Sequence, residues 1–295
     1  MLKNWFITLL IFSSLTQLAS TTLASEDQGE FKYTLAHHQI LVRYLNPSKE
    51  NPSAPVLIVM HGVGRDADRY FSEWAPYARK YGLLLIVPEF SKKEYPGAEG
   101  YNDGNVVDKA GHPLPREAWS FSAIEPIFDA VKKRTGNTSK TYNLFGHSAG
   151  AQFVQRYIYF VPTARLNRVI TANAGWYMLP DLNVAFPYGL KNTPVTESDL
   201  KHALQLPVTV LLGTADTDPD HHALRHTPES DAQGHNRLER GHYFFAYAKK
   251  AASTYNIPLN WKLATAPGID HEDGRMAPFA LAIILPQASS STAKP

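Results

Sequence analysis

The sequence predicts an α/β protein built on a mostly parallel, doubly wound sheet with helices on both faces. Three observations predict it. Short runs of β-forming apolar residues recur along the chain, amphipathic helical patterns separate them, and the composition is that of a globular domain. Of 295 residues, 44% are hydrophobic and 19% charged.

The elements follow in order. Phe31–Leu35 and Gln39–Leu45 alternate apolar and polar residues, as an antiparallel pair near the start would. Pro55–Met60, Leu83–Val87, Thr141–Phe145, Val169–Ala172 and Val208–Leu212 are near-continuous apolar runs, the signature of parallel strands covered on both faces. Leu259–Ala264 reads as a last strand. Between them, Asp66–Lys80 sets Tyr70, Trp74, Tyr77 and Ala78 on one helical face, and Ala123–Lys133 does the same with Ile124, Ile127, Phe128 and Val131. Gly241–Tyr255 is a further helix. In such a sheet, ligands bind beyond the carboxyl ends of the strands, so the residues after each strand are the ones to inspect.

The two ends read differently. Residues 1–24 hold one charge, Lys3, then an apolar run from Trp5 to Phe12, a softer stretch to Leu18, and small residues at Thr22 and Ala24, the −3 and −1 positions of a cleavage site. This is the pattern of a signal peptide cleaved after Ala24; the run is about half of the ~20 residues that span a bilayer. The expectation is a secreted or periplasmic protein with no membrane anchor after cleavage, one domain over 25–287, and a disordered tail over 288–295.

Composition also excludes partners and chemistries. Lys and Arg total 29 against 27 acids, a net charge of +2, which argues against a nucleic-acid surface. There is no Cys, so disulfides, thiolate metal sites and a Cys nucleophile are out.

After the strand Thr141–Phe145 comes Gly146-His147-Ser148-Ala149-Gly150, and a helical pattern with Phe153, Val154, Tyr157 and Ile158 begins at once. A Ser hydroxyl is a poor nucleophile and must stand exposed on a sharp strand-to-helix turn where a base can reach it. The close approach of neighbouring chain leaves room only for small residues two positions either side, and the two glycines supply them. Ser148 is therefore the candidate nucleophile. His147, adjacent in a tight turn, points away from it and is read as packing beside it.

An acid and a base should follow, each after a strand. Val208–Leu212 is followed by Asp216 and Asp218, and Leu259–Ala264 by His271. His271 is read as the base; Asp216 is preferred over Asp218 because it lies nearer the strand end, with the choice left open. Pro55–Met60 leads into His61-Gly62-Val63-Gly64, so the backbone amides of Val63 and Ala149 are the expected oxyanion donors.

With these residues in view, the chain resembles the α/β-hydrolase superfamily, and within it the secreted bacterial esterases grouped with polyhydroxybutyrate depolymerases and feruloyl esterases. The segments Asn173–Trp176 and Phe186–Leu190 strengthen the second likeness. The resemblance implies an α/β-hydrolase fold and cleavage of a small or polymeric carboxylic ester through an acyl-enzyme, with no cofactor. An amidase or peptidase with the same three residues, or a non-catalytic protein on this fold, stays open. Oligomeric state also stays open.

Two weaker signals remain. His221, His222 and His226 suggest zinc, but the metalloprotease Glu is missing and Pro219 and Pro228 bracket a loop, so no metal is expected. The long segments Glu89–Trp119 and Gly175–Thr196 carry Tyr101, Trp119, Trp176 and Tyr188, which either roof a substrate pocket beside Ser148 or pack these excursions onto the core.

Overall fold

The protein is described by a computed structural model covering residues 27–108 and 110–285. The expected signal segment and tail lie outside the described residues. In chain order the elements are β1 (Gln28–Leu35), β2 (His38–Leu45), β3 (Val56–Met60), α1 (Ala67–Tyr81), β4 (Leu84–Glu89), α2 (Ile124–Thr135), β5 (Tyr142–His147), α3 (Ala149–Phe160), β6 (Leu166–Ala172), α4 (Glu197–Gln205), β7 (Val208–Gly213), a short α5 (Pro228–Asp231), α6 (Arg237–Thr254), β8 (Lys262–Ala266) and α7 (Asp273–Ile284).

The eight strands form one sheet in the order β1-β2-β4-β3-β5-β6-β7-β8. The hairpin β1–β2 joins antiparallel to β4, and every pairing from β4 to β8 is parallel. The expected fold class therefore holds.

The central strands β3, β5 and β7 are buried at every residue, because helices cover both faces. Period-two alternation then sorts their side chains. Ile58, Leu144 and Val210 face the layer holding α2, α3, α4 and α6; Leu57, Val59, Phe145 and Leu211 face α1 and α7, against Trp74 and Met276. Each such aliphatic side chain contributes roughly 1.5–3 kcal/mol by leaving water. Helix α3 is buried along its whole length, Gln152, Gln155 and Arg156 included, so it runs through the core and not over it.

The larger departures from expectation are two boundaries and two helices. The last strand is Lys262–Ala266, not Leu259–Ala264, because Asn260 N–H donates to the Leu204 carbonyl (3.1 Å) and the Trp261 indole N–H to the Ala203 carbonyl (2.9 Å). Those bonds tie the segment to the end of α4 before the sheet takes it up. Helix α6 starts at Arg237 and not Gly241, capped by the Asn236 side chain, which accepts from Glu239 N–H at 2.9 Å. Helices α4 and α7 were not anticipated; α4 announces itself through a Thr196/Asp199 capping box.

One buried carboxyl gives a stability prediction. Asp273, 1% exposed at the start of α7, accepts from the Trp74 indole (3.2 Å) and feels the charge of Glu73, which pairs with Arg69 at 2.7 Å. Burial pushes the Asp273 carboxyl well above the usual carboxylate range, and the Glu73 charge pushes the same way. A raised folded-state value favours the native state below the unfolded value, and that advantage is lost as pH rises through the folded one. Asp273→Asn is expected to raise Tm by a few degrees at pH 8 and to leave it nearly unaltered at pH 4. Thermal melts at the two pH values check this; a variant less stable at pH 8 would contradict it.

Candidate active site

The site is built where strands β3, β5, β7 and β8 end. Strand β5 runs through Gly146 and His147, and the chain turns at Ser148 directly into α3. Ser148 has φ 57° and ψ −117°, a left-handed conformation that an L-residue adopts only when its surroundings enforce it. Enforcement comes from the two glycines. A Cβ on Gly146 would lie 2.2 Å from the Gly150 carbonyl oxygen, and one on Gly150 would lie 2.1 Å from that of Met60. Strand β5, α3 and the end of β3 thus meet at backbone contact.

His271 Nε2 lies 3.0 Å from Ser148 Oγ, and His271 Nδ1 lies 2.7 Å from Asp216 Oδ2. A carboxylate at Nδ1 keeps the ring proton there and leaves Nε2 as an acceptor facing the hydroxyl. Asp216 follows β7 and is 3% exposed; Asp218 is exposed and instead accepts from Asp220 N–H at 2.9 Å. Of the two candidate acids, Asp216 is the one brought to His271. Such an arrangement can draw the proton from the hydroxyl and hold the resulting imidazolium.

Arg237 completes the surroundings of the acid. It is 1% exposed, its Nη1 lies 3.4 Å from Asp216 Oδ1, and its Nη2 lies 3.1 Å from His221 Nδ1. The His221 ring meets that of His271 edge-on, with centroids 5.2 Å apart. Burial pushes the His271 imidazole well below its ordinary value, and repulsion from Arg237, His221 and His222 adds to this. Burial pushes the Asp216 carboxyl up, against the pull of the Arg237 guanidinium.

His147 is buried with its ring centroid 4.6 Å from that of His271, and its Nδ1 lies 3.2 Å from the Tyr70 hydroxyl. It packs beside Ser148, as expected. Burial drives its imidazole well below the ordinary value, so it stays neutral.

The loop after β3 closes the other side. His61 is fully buried; its Nε2 accepts from Phe90 N–H (3.0 Å), which leaves Nδ1–H to donate to the Gly62 carbonyl (3.1 Å). Arg65 N–H donates to that same carbonyl at 3.1 Å, closing a turn with Val63 and Gly64 at its centre. A Cβ on Gly62 would meet Ser148 Cβ at 3.7 Å, so the turn abuts the serine. Val63 is 51% exposed, while Ala149 is buried at the first position of α3. Both line a cavity of about 260 Å³ together with Ser148, Ala98, Asn102, Gln152, Trp176 and the segment His222–Arg225.

The four aromatic candidates separate. Trp176 is on the cavity wall, and Tyr188 stands behind it, ring centroids 4.7 Å apart. Tyr101 is not a wall residue: it is 0% exposed, stacks on His61 at 4.6 Å and donates its hydroxyl to the His61 carbonyl at 2.8 Å. It braces the loop that carries Val63. Trp119 is also a core residue, 4% exposed, edge-on to Phe160, with its indole N–H on the Leu114 carbonyl at 2.9 Å.

Sequence reasoning missed Arg237 and Asn173. Asn173, at φ 50°, accepts from Gly213 N–H (2.8 Å) and donates to the Asp270 carbonyl (3.0 Å), joining the loops that carry Asp216 and His271. A polar residue directly after β6 was the one available signal. The three histidines of the 221–226 loop do not converge: His226 turns away to Asp231 and the Pro219 carbonyl, and no group of three metal-ligating side chains occurs among the described residues.

No protein-family model and no curated protein matches the chain. Solved structures do. Poly(aspartic acid) hydrolase-1 from Sphingomonas sp. KT-1 is 46% identical with a TM-score of 0.84, over 86% of this chain and 97% of that one. LpqC, a poly(3-hydroxybutyrate) depolymerase from Bordetella parapertussis, is 31% identical with a TM-score of 0.81, over 88% and 92%. An S-formylglutathione hydrolase from Agrobacterium tumefaciens, 12% identical with a TM-score of 0.55 over 87% and 92%, shares the fold. On this identity and coverage, and with the sheet order described above, the chain belongs to the α/β-hydrolase superfamily, in the group that resembles polyhydroxybutyrate depolymerases.

Proposed function

We propose that this hydrolase is a serine enzyme that cleaves carboxylic esters through an acyl-enzyme. The supporting observation is the unbroken relay from Ser148 Oγ to His271 (3.0 Å) to Asp216 (2.7 Å). Ser148 Oγ bonds to the acyl carbon while its proton passes to His271 Nε2. The tetrahedral oxyanion accepts from the amides of Val63 and Ala149, the second at the positive end of α3. Collapse breaks the bond to the leaving alkoxide, which takes the proton from His271. Water then repeats the sequence on the acyl-enzyme and frees Ser148. Asp216 holds the ring and steadies the imidazolium; Arg237 holds Asp216.

A second reading is hydrolysis of amide bonds in an acidic polymer, favoured by the 46% identity to a poly(aspartic acid) hydrolase. The relay serves either leaving group, which the cavity selects. The charge-poor segment before Ala24 supports secretion or a periplasmic location, and no helix among the described residues is long and apolar enough to cross a membrane.

A fluorophosphonate probe tests the proposal: it is expected to modify one residue, Ser148, in proportion to loss of activity on p-nitrophenyl butyrate. An unmodified protein that turns over neither p-nitrophenyl butyrate nor poly(aspartic acid) would overturn it.

A further inference from the structure

Arg225 stands on the wall of the Ser148 cavity, and among the described residues no ion pair engages it. Its guanidinium lies 4.4 Å from the Trp176 ring centroid, with Nη1 3.4 Å from the Tyr188 hydroxyl. The Arg156 guanidinium lies 4.2 Å from the same ring, but the two cations differ. Arg156 is fully buried and paired with Asp103 at 3.3 Å, so its charge is compensated inside the protein. Arg225 is only half-buried, and the carboxylate whose field reaches it, Asp103, is already engaged.

The position of Arg225 is built and not incidental. Its carbonyl accepts from Arg240 Nη1 (2.9 Å) and Ser230 Oγ (3.1 Å), and Arg240 and Ser230 are themselves fully buried. Its neighbour Leu224 is buried as well. A guanidinium laid on an aromatic face keeps its in-plane N–H donors for a planar oxyanion, the geometry that favours bidentate carboxylate binding. The cavity, at about 260 Å³, has room for a short substrate unit between Ser148 and Arg225.

We infer that Arg225 is a specificity-determining residue that reads a carboxylate on a short acyl unit of the substrate, next to the bond cleaved at Ser148. This deepens the hydrolase reading and rests on it. The substrate class is then an acid-bearing ester or amide, in which each unit presents a free carboxylate to the Trp176-backed guanidinium.

The test compares two esters of equal chain length, mono-p-nitrophenyl glutarate and p-nitrophenyl valerate, each corrected for spontaneous hydrolysis. The wild-type protein is expected to prefer the glutarate in kcat/KM. Arg225→Gln is expected to lower the glutarate-to-valerate ratio by about 10- to 100-fold, mainly through KM, as loss of a charge-assisted hydrogen bond would. Arg225→Lys, which keeps the charge, is expected to restore part of the ratio. A ratio that Arg225→Gln leaves unmoved, with both esters still cleaved, would overturn the Arg225 assignment alone. A wild-type protein that cleaves neither ester and no poly(aspartic acid), and stays unmodified by a fluorophosphonate, would overturn the hydrolase reading and this assignment with it; one that is modified yet shows no preference for the glutarate would overturn this assignment alone.

Discussion

Ser148→Ala is expected to lower kcat on p-nitrophenyl butyrate by about a million-fold, to the residue of catalysis that oxyanion donors and binding alone provide. The fold should survive. The methyl group of Ala occupies the space of the Ser148 Cβ, and what it loses is one hydroxyl whose partner, the His271 ring, is a partly exposed side chain. Positive φ costs Ala about what it costs Ser, so the turn between β5 and α3 carries no new strain. Steady-state rates with a melting curve on the same sample separate the two effects. Retained activity in a folded Ser148→Ala protein would remove the acyl-enzyme from the mechanism.

Asp216→Asn is expected to cost about ten-thousand-fold in kcat, with KM little altered. The Asn amide can still hydrogen-bond His271 Nδ1, so ring position persists. What changes is the proton: an Asn NH₂ facing Nδ1 makes that nitrogen the acceptor and moves the proton to Nε2, where it faces Ser148 Oγ and cannot accept. Arg237, 3.4 Å from Asp216 Oδ1, would then be a buried cation without its carboxylate, so a modest fall in Tm is expected too. Asp218→Asn is the control. That side chain is exposed and bonds within its own loop, so a comparable loss there would reassign the acid.

How far the sequence reaches depends on the range of the forces involved. The parallel strands were legible because Val, Ile and Leu runs have no other use at that length, and the Ser148 turn because backbone contact at Met60 and Gly150 leaves glycine no substitute. Asp216 and His271 were found by their place after strands, a rule of topology and not of local chemistry. The last strand begins later than the pattern suggests because Leu259 and Trp261 are apolar enough for a strand, yet Asn260 and Trp261 bond to the end of α4. Tyr101 and Trp119 show the same ambiguity: an aromatic ring in a long loop reads alike whether it faces a ligand or the core. Arg237 and Arg225 were illegible because their meaning depends on which carboxylates lie near, and those are chosen by folding. Arg237 meets Asp216; Arg225 meets a ring.

The Asn173 side chain bonds to residues 40 and 97 positions further along the chain. The loops of Asp216 and His271 are consequently locked in register by an amide that belongs to neither, and that amide is satisfied only where β7 and the segment after β8 are both docked. A polypeptide lacking its last quarter would have neither the His271 ring for Ser148 nor the Asp270 carbonyl for the Asn173 amide. The contact of Ser148 with His271 thus depends on a segment more than 120 residues away, delivered to the sheet edge by the last strand and moored there by Asn173.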